Sequence, residues 1–234
     1  MEILTLWQRI AVWAIPVLFA ITLHEVAHGW AARYLGDDTA ARLGRLSLNP
    51  LKHIDPVGTI ILPGLLLIFS GFLFGWAKPV PVDFRRLRRP KRDMAIVAAA
   101  GPLANLLMAL FWVMVIKLGS LFLNDWGVVA VFMVYMGIAG IFINVVLMVL
   151  NLLPLPPLDG GRVAIGLLPP QIARPLAMLE PYGLVVLLIL MFTGILAQLL
   201  WPPVIVGQEI LGWLAGVSSS GFMNVLSILF GRGS

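Results

Sequence analysis

His24-Glu25-Val26-Ala27-His28 lies inside an otherwise apolar run that extends from Ile10 to about Leu35, and its placement decides the architecture. On a helix, positions i and i+4 share one face about one turn apart. Two imidazoles so spaced can hold one divalent ion while the Glu beside the first reaches a water at that ion. Only three His occur in the 234 residues. Placing two of them with a Glu in an apolar helix is costly unless they face a polar cavity or a partner, and intramembrane ionisable groups default to function.

The rest of the chain agrees with a bilayer setting. It is 60% apolar and 12% charged, about half the charged fraction of a soluble domain. Uncharged stretches at Pro56–Ala77, Met94–Ile116, Trp126–Leu158 and Pro181–Gln208 reach the ~20 residues that cross a bilayer. A weaker apolar segment, Ile210–Phe230, is interrupted by Ser218-Ser219-Ser220-Gly221. These stretches predict an all-α, polytopic membrane bundle forming one domain over residues 1–234, with its core over 10–200 and a C-terminal apolar segment over 201–234. A soluble enzyme, a disordered chain and a disulfide-stapled secreted domain are excluded. With no Cys, thiolate is absent from any metal site and from any nucleophile. The net charge of +5 sits in loops between apolar segments, so it is a topology signal and implies no nucleic acid. Met1 to Arg9 leads into the first helix without a small-residue cleavage site, so that span is expected to be retained. No internal repeat is visible.

Pro56–Ala77 differs from the other stretches because it carries Gly58, Pro63-Gly64, Gly71 and Gly75. Of the 16 Lys and Arg, 11 lie between Arg33 and Arg92, on both flanks of this segment. Both flanks therefore read as cytoplasmic, and the segment as a re-entrant hairpin that dips in and returns; a true span is the alternative.

Two His and a water leave one tetrahedral position for an Asp, a Glu or, as an outsider, His53. Asp159 stands out, since Pro154, Pro156 and Pro157 prevent continued helix before it and Gly160-Gly161 allow a tight turn after it. Its competing role is to cap the helix that begins there. His53 and Asp55 are expected to be structural. Asn105 and Asn144 read as interhelical packing residues, with Gly101 permitting close helix approach.

His24 to His28, then Gly101-Pro102-Leu103-Ala104-Asn105, then Asn151 through Gly161, in that order, closely resemble the site-2 protease family of intramembrane zinc metalloproteases. Asn49 through Thr59 looks like its compact bacterial branch without a PDZ domain. The resemblance implies one Zn²⁺ held by His24, His28 and Asp159, with Glu25 as the catalytic acid/base. It also implies that Asn151 assists the scissile carbonyl, with interhelical bonding as that residue's alternative role. The implied setting is a bacterial-type cell membrane crossed several times, with the site towards the cytoplasm. The implied partners are membrane-protein substrates with a transmembrane segment.

Because a helical peptide bond is shielded by its own hydrogen bonds, such a substrate must unwind. Ala41–Leu48 is a candidate strand edge for it, with an ordinary polar loop as the alternative, and Trp76 to Pro81 reads as extended chain. The rivals are another type of integral-membrane zinc endopeptidase, a transporter, and a non-catalytic membrane scaffold.

Overall fold

The computed structural model describes residues 4–61 and 78–231. Every regular element among them is helical. Helix α1, Leu6–Tyr34, starts on a capping box in which the Thr5 side chain accepts from Gln8 N–H and Gln8 accepts from Thr5 N–H. Helix α2 is Pro90–Leu121, with Pro at its start, where the missing N–H costs nothing, and the Asp93 carboxylate accepting from Arg89 N–H. A short turn, Leu123–Trp126, and Gly127 at a φ of 49° reverse the chain into α3, Val128–Leu152.

These three helices are packed antiparallel, and the register is set by small residues. A Cβ at Gly137 would fall 2.3 Å from Ile116 Cγ1, and one at Gly140 would fall 2.3 Å from the Trp112 ring. Residues rising along α3 thus meet residues falling along α2. Ile116, Ile138, Ile141 and Val145 fill the seam and are fully buried. Leu107, Phe111 and Met114 on the outer side of α2 are more than half exposed. So large an apolar exterior suits lipid and not water. Among the described residues, five helical segments are long and apolar enough to cross a membrane, namely α1, α2, α3, Pro170–Phe192 and Ile195–Ala215. The chain is a multi-pass membrane protein.

Past α3 the uncharged stretch Trp126–Leu158 stops being helical at Leu152, and the proline-rich turn leads into α4, Asp159–Leu167. Then follow α5, Pro170–Met178, and α6, Gly183–Phe192. Pro181–Gln208 is not one span: Gly194, in the left-handed region at a φ of 76°, separates α6 from α7, Ile195–Ala215. The interruption expected in Ile210–Phe230 falls at Gly216 to Ser218. Gly216 closes α7, and Ser218 caps α8, Ser219–Leu229, by accepting from Gly221 N–H. Helix α8 packs its Phe222, Val225 and Leu226 into the same core as α2 and α3.

The candidate strand edge at Ala41–Leu48 forms no strand. Thr39–Arg42 is a helical turn, and the chain from Arg45 to Asn49 runs without regular structure. The expected re-entrant hairpin falls largely on residues 62–77, which lie outside the described residues; its first part, Pro56–Ile61, is a π-helical turn. Its flanks are nevertheless tied together. Lys78 N–H donates to His53 O at 2.9 Å, and the Arg45 guanidinium bridges Lys52 O at 2.6 Å and Lys78 O at 3.1 Å. Both basic flanks therefore lie side by side.

Candidate metal centre

Three side chains from two helices converge on one point. Helix α1 brings His24 and His28 to the same face one turn apart, and α4 brings Asp159 from the far side of the proline-rich turn. Close packing at this junction depends on glycines. A Cβ at Gly160 would lie 2.3 Å from Leu152 O at the end of α3, so α4 could not begin where it does with any larger residue. Asp159 is the first residue of α4 behind the N-cap Leu158, and no side chain caps this helix. Its carboxylate turns to the imidazoles instead, which decides against the capping role.

His24 Nε2 lies 3.1 Å from His28 Nε2 and 3.1 Å from Asp159 Oδ2, which is 3.2 Å from His28 Nε2. His24 and Asp159 are buried and His28 is partly so. What occupies the centre of this triangle follows from where the hydrogens are. His28 Nδ1 is 2.7 Å from Val97 O, which can only accept, so Nδ1 carries the hydrogen. His24 Nδ1 is 2.7 Å from Asn105 Oδ1. The orientation of that amide is fixed by its other end: Asn105 Nδ2 donates to Asn144 Oδ1 at 3.0 Å and to Ala20 O at 3.3 Å. His24 Nδ1 therefore donates too. Both Nε2 atoms then present lone pairs, and Asp159 Oδ2 adds a third while being buried without a hydrogen-bond partner.

Three lone pairs this close repel unless a cation sits among them. A tetrahedral ion with ligand bonds of about 2.0–2.1 Å separates its donors by about 3.3 Å, close to the distances found here. Two neutral imidazoles and one carboxylate, with room for a fourth ligand, fit Zn²⁺. Among the described residues no other group of three His, Asp or Glu could hold an ion.

Residues 12–193, which contain all three donors, match the profile of Peptidase family M50. The chain belongs to peptidase family M50. Among its relatives, "Putative zinc metalloprotease YwhC" of Bacillus subtilis (strain 168) is 38% identical over 200 residues, which cover 83% of this chain and 86% of that protein. "Putative zinc metalloprotease Rip2" of Mycolicibacterium smegmatis is 35% identical over 178 residues, covering 75% of this chain and 64% of the relative. Its namesake in Mycobacterium tuberculosis (strain ATCC 25618 / H37Rv) is 33% identical over 175 residues, covering 74% and 63%. The chain thus spans less than two thirds of the Rip2 proteins. No solved structure matches it at a significant level.

In this M50 chain the predicted residues divide as follows. His24, His28 and Asp159 come together, and Glu25, half-buried, stands beside His24 with its Oε2 accepting from Val80 N–H at 2.8 Å. Asn151 sits at the end of α3, where its Nδ2 donates to Leu147 O one turn back at 3.0 Å. His53 and Asp55 stay outside the cluster. His53 bonds to Ser47 O at 2.8 Å, and Asp55 accepts from Val57 and Gly58 N–H at the start of the π-helical turn.

Sequence reasoning placed Asn105 only in packing. It is fully buried between helices, and it also orients a metal-site imidazole. The signal was there: Val97, Gly101 and Asn105 recur every four residues on α2, opposite His28 and His24 on the antiparallel α1. Gly101 lies between the two, where a Cβ would fall 2.5 Å from His28 Nε2. Asn105→Leu is expected to weaken metal binding by about 10- to 100-fold in chelator competition, because His24 loses the acceptor that fixes its tautomer. Asn105→Asp, which keeps an acceptor, should retain more of the affinity.

Proposed function

We propose that this chain is an intramembrane zinc endopeptidase that hydrolyses peptide bonds in or near transmembrane segments of other membrane proteins, with its site towards the cytoplasmic face. One observation carries the reading: a His₂Asp donor set with an adjacent Glu lies within helices whose outer faces are apolar. A zinc ion bound there supplies Lewis acidity, lowering the pKa of a coordinated water towards ~7 and polarising a carbonyl oxygen. The protein's own residues do the rest. Glu25 accepts the water's proton as the oxygen attacks the peptide carbonyl, then returns it to the leaving amine. Asn105 and Val97 O hold the imidazoles with Nε2 facing the ion. Asn151, at the end of α3, contributes a side-chain N–H to the carbonyl oxygen by exchanging its bond to Leu147 O, worth up to a few kcal/mol in a preorganised site.

The position of the His pair on α1 supports placement near the cytoplasm. His28 is seven residues before Leu35, roughly 10 Å along the axis, so the pair lies near the end from which the basic segments extend. With both flanks of 56–77 on that side, α2 leads away and α3 returns, bringing Asp159 to the His pair. The N-terminus and the turn around Asn124 then face outward. Since the native chain has no Cys, single cysteines at Thr39, Arg86 and Asn124 can be labelled on intact cells with an impermeant thiol reagent. Labelling at Asn124 alone is expected; labelling at Arg86 and Thr39 would invert the orientation.

The activity is tested by reconstituting purified protein with a model transmembrane peptide and mapping the products by mass spectrometry. Zinc-dependent cleavage within or beside the apolar segment is expected. Cleavage confined to soluble peptides would overturn the intramembrane reading.

A further inference from the structure

Asp37 is fully buried, ionisable and remote from the metal centre, and nothing in the hydrolytic mechanism uses it. It lies just past Gly36, which turns the chain out of α1 at a φ of 116°. Its Oδ1 accepts from the backbone N–H and hydroxyl of Thr39, and its Oδ2 accepts from Asp83 N–H at 2.7 Å. Burial alone would raise its pKa. The Thr39 hydroxyl, the Asp83 and Thr39 N–H groups and nearby Arg86 outweigh that and hold the carboxyl below its ordinary value, so the tie stays ionised near neutral pH.

Asp83 ends an extended segment, Lys78–Asp83, whose middle reaches the active site. Pro79 and Pro81 have no N–H and restrict Lys78 and Val80, the residues before them, to extended backbone. Such a segment is a poor member of a β-ladder, and the N–H between the two prolines goes to Glu25 Oε2 at 2.8 Å. The Val80 side chain lies over Gly29, one helical turn beyond Glu25, where a Cβ would come within 2.8 Å of Val80 Cγ1. The segment is fixed at both ends. Lys78 N–H is bonded to His53 O, and Asp83 N–H to Asp37. Leu87, buried four residues further on, anchors the chain in a small core with Ala32 and Val97.

We propose that Asp37 is a positioning residue for Glu25: it fixes the 78–83 strap so that the Val80 N–H holds one carboxylate oxygen of Glu25 in place for proton transfer. The proposal rests on the catalytic role assigned to Glu25 above. A Glu side chain has three rotatable bonds, and among the described residues the Val80 N–H is the hydrogen bond that holds the Glu25 carboxylate. The strap supplies that orientation through a donor that neither the metal ligands nor the substrate must provide. Small displacements of a catalytic group carry large rate penalties, up to about 10²-fold for 1 Å.

The test separates positioning from general stability by reading kcat, KM, zinc content and backbone hydrogen exchange together in the full-length protein. Asp37→Ala is expected to lower kcat by about 10- to 100-fold, with KM and zinc content within about twofold of wild type and with faster exchange of the amides in 78–84. A second variant avoids the buried carboxylate altogether. Replacing Val80 by its α-hydroxy acid puts an ester where the amide was, which removes the N–H and weakens only the Pro79 carbonyl, whose contact with Arg45 is long at 3.4 Å; it should reproduce the kcat loss with zinc retained. Wild-type kcat in the ester variant, or loss of zinc in step with kcat in Asp37→Ala, would overturn the proposal. Glu25→Gln in the same assay keeps the two ideas apart: full activity there would overturn the catalytic assignment itself, whereas an inactive Glu25→Gln beside a fully active ester variant would overturn only the strap.

Discussion

Glu25→Gln is expected to keep its full complement of zinc and to lose proteolysis by about 10²- to 10⁴-fold, the usual contribution of a general acid/base. The separation of the two readouts is the point. Glu25 is absent from the donor triangle, and its Oε2 is bonded to Val80 N–H, so removing its charge leaves all three ligands in place. Gln retains an oxygen that can accept from Val80, which keeps the strap seated, yet it cannot take a proton from water. Zinc content by elemental analysis and cleavage of a model membrane peptide check the two halves. Wild-type cleavage by this variant would sink the mechanism.

The second large effect falls on the ligands. His24→Ala or His28→Ala should lose zinc and activity together, since two remaining protein donors hold the ion poorly. Asp159→Asn tests the third donor with little cost to the fold, because α4 is capped at Leu158 and uses no side-chain cap that Asn would alter. Its zinc content and activity are expected to fall while helical circular dichroism stays unchanged. Full occupancy in that variant would move the third ligand elsewhere.

The sequence displayed the metal site plainly because of its cost. His24, Glu25 and His28 are conspicuous in an apolar helix, and Asp159 is conspicuous between prolines and a glycine pair. The antiparallel bundle was legible for a similar reason: α1, α2 and α3 are long, apolar and bounded by charge or by Gly127. What stayed hidden was of two kinds. Helix breaks inside apolar sequence leave little trace, so Gly194 divided a segment that looked continuous from composition alone. Main-chain partners leave none. Val97 O and Val80 N–H are groups that almost any residue offers, and only the fold places them against His28 and Glu25. Asn105 was visible as a buried polar residue, yet its partner on α1 could be named only once the antiparallel register was known. Ala41–Leu48 does not form the strand edge, because Asp37 and Thr39 wind the chain into a helical turn first and the residues after it run on as irregular chain.

The three donors point their lone pairs at a single centre, and the identity and ligation of the ion there is the claim on which the hydrolytic account stands. X-ray absorption at the zinc edge of purified, active protein measures both directly. The account predicts a four-coordinate ion with two imidazole nitrogens and light oxygen donors at about 2.0–2.1 Å, and the loss of one imidazole contribution from any metal that His24→Ala retains. A spectrum without imidazole scattering, or one unchanged by His24→Ala, would contradict it.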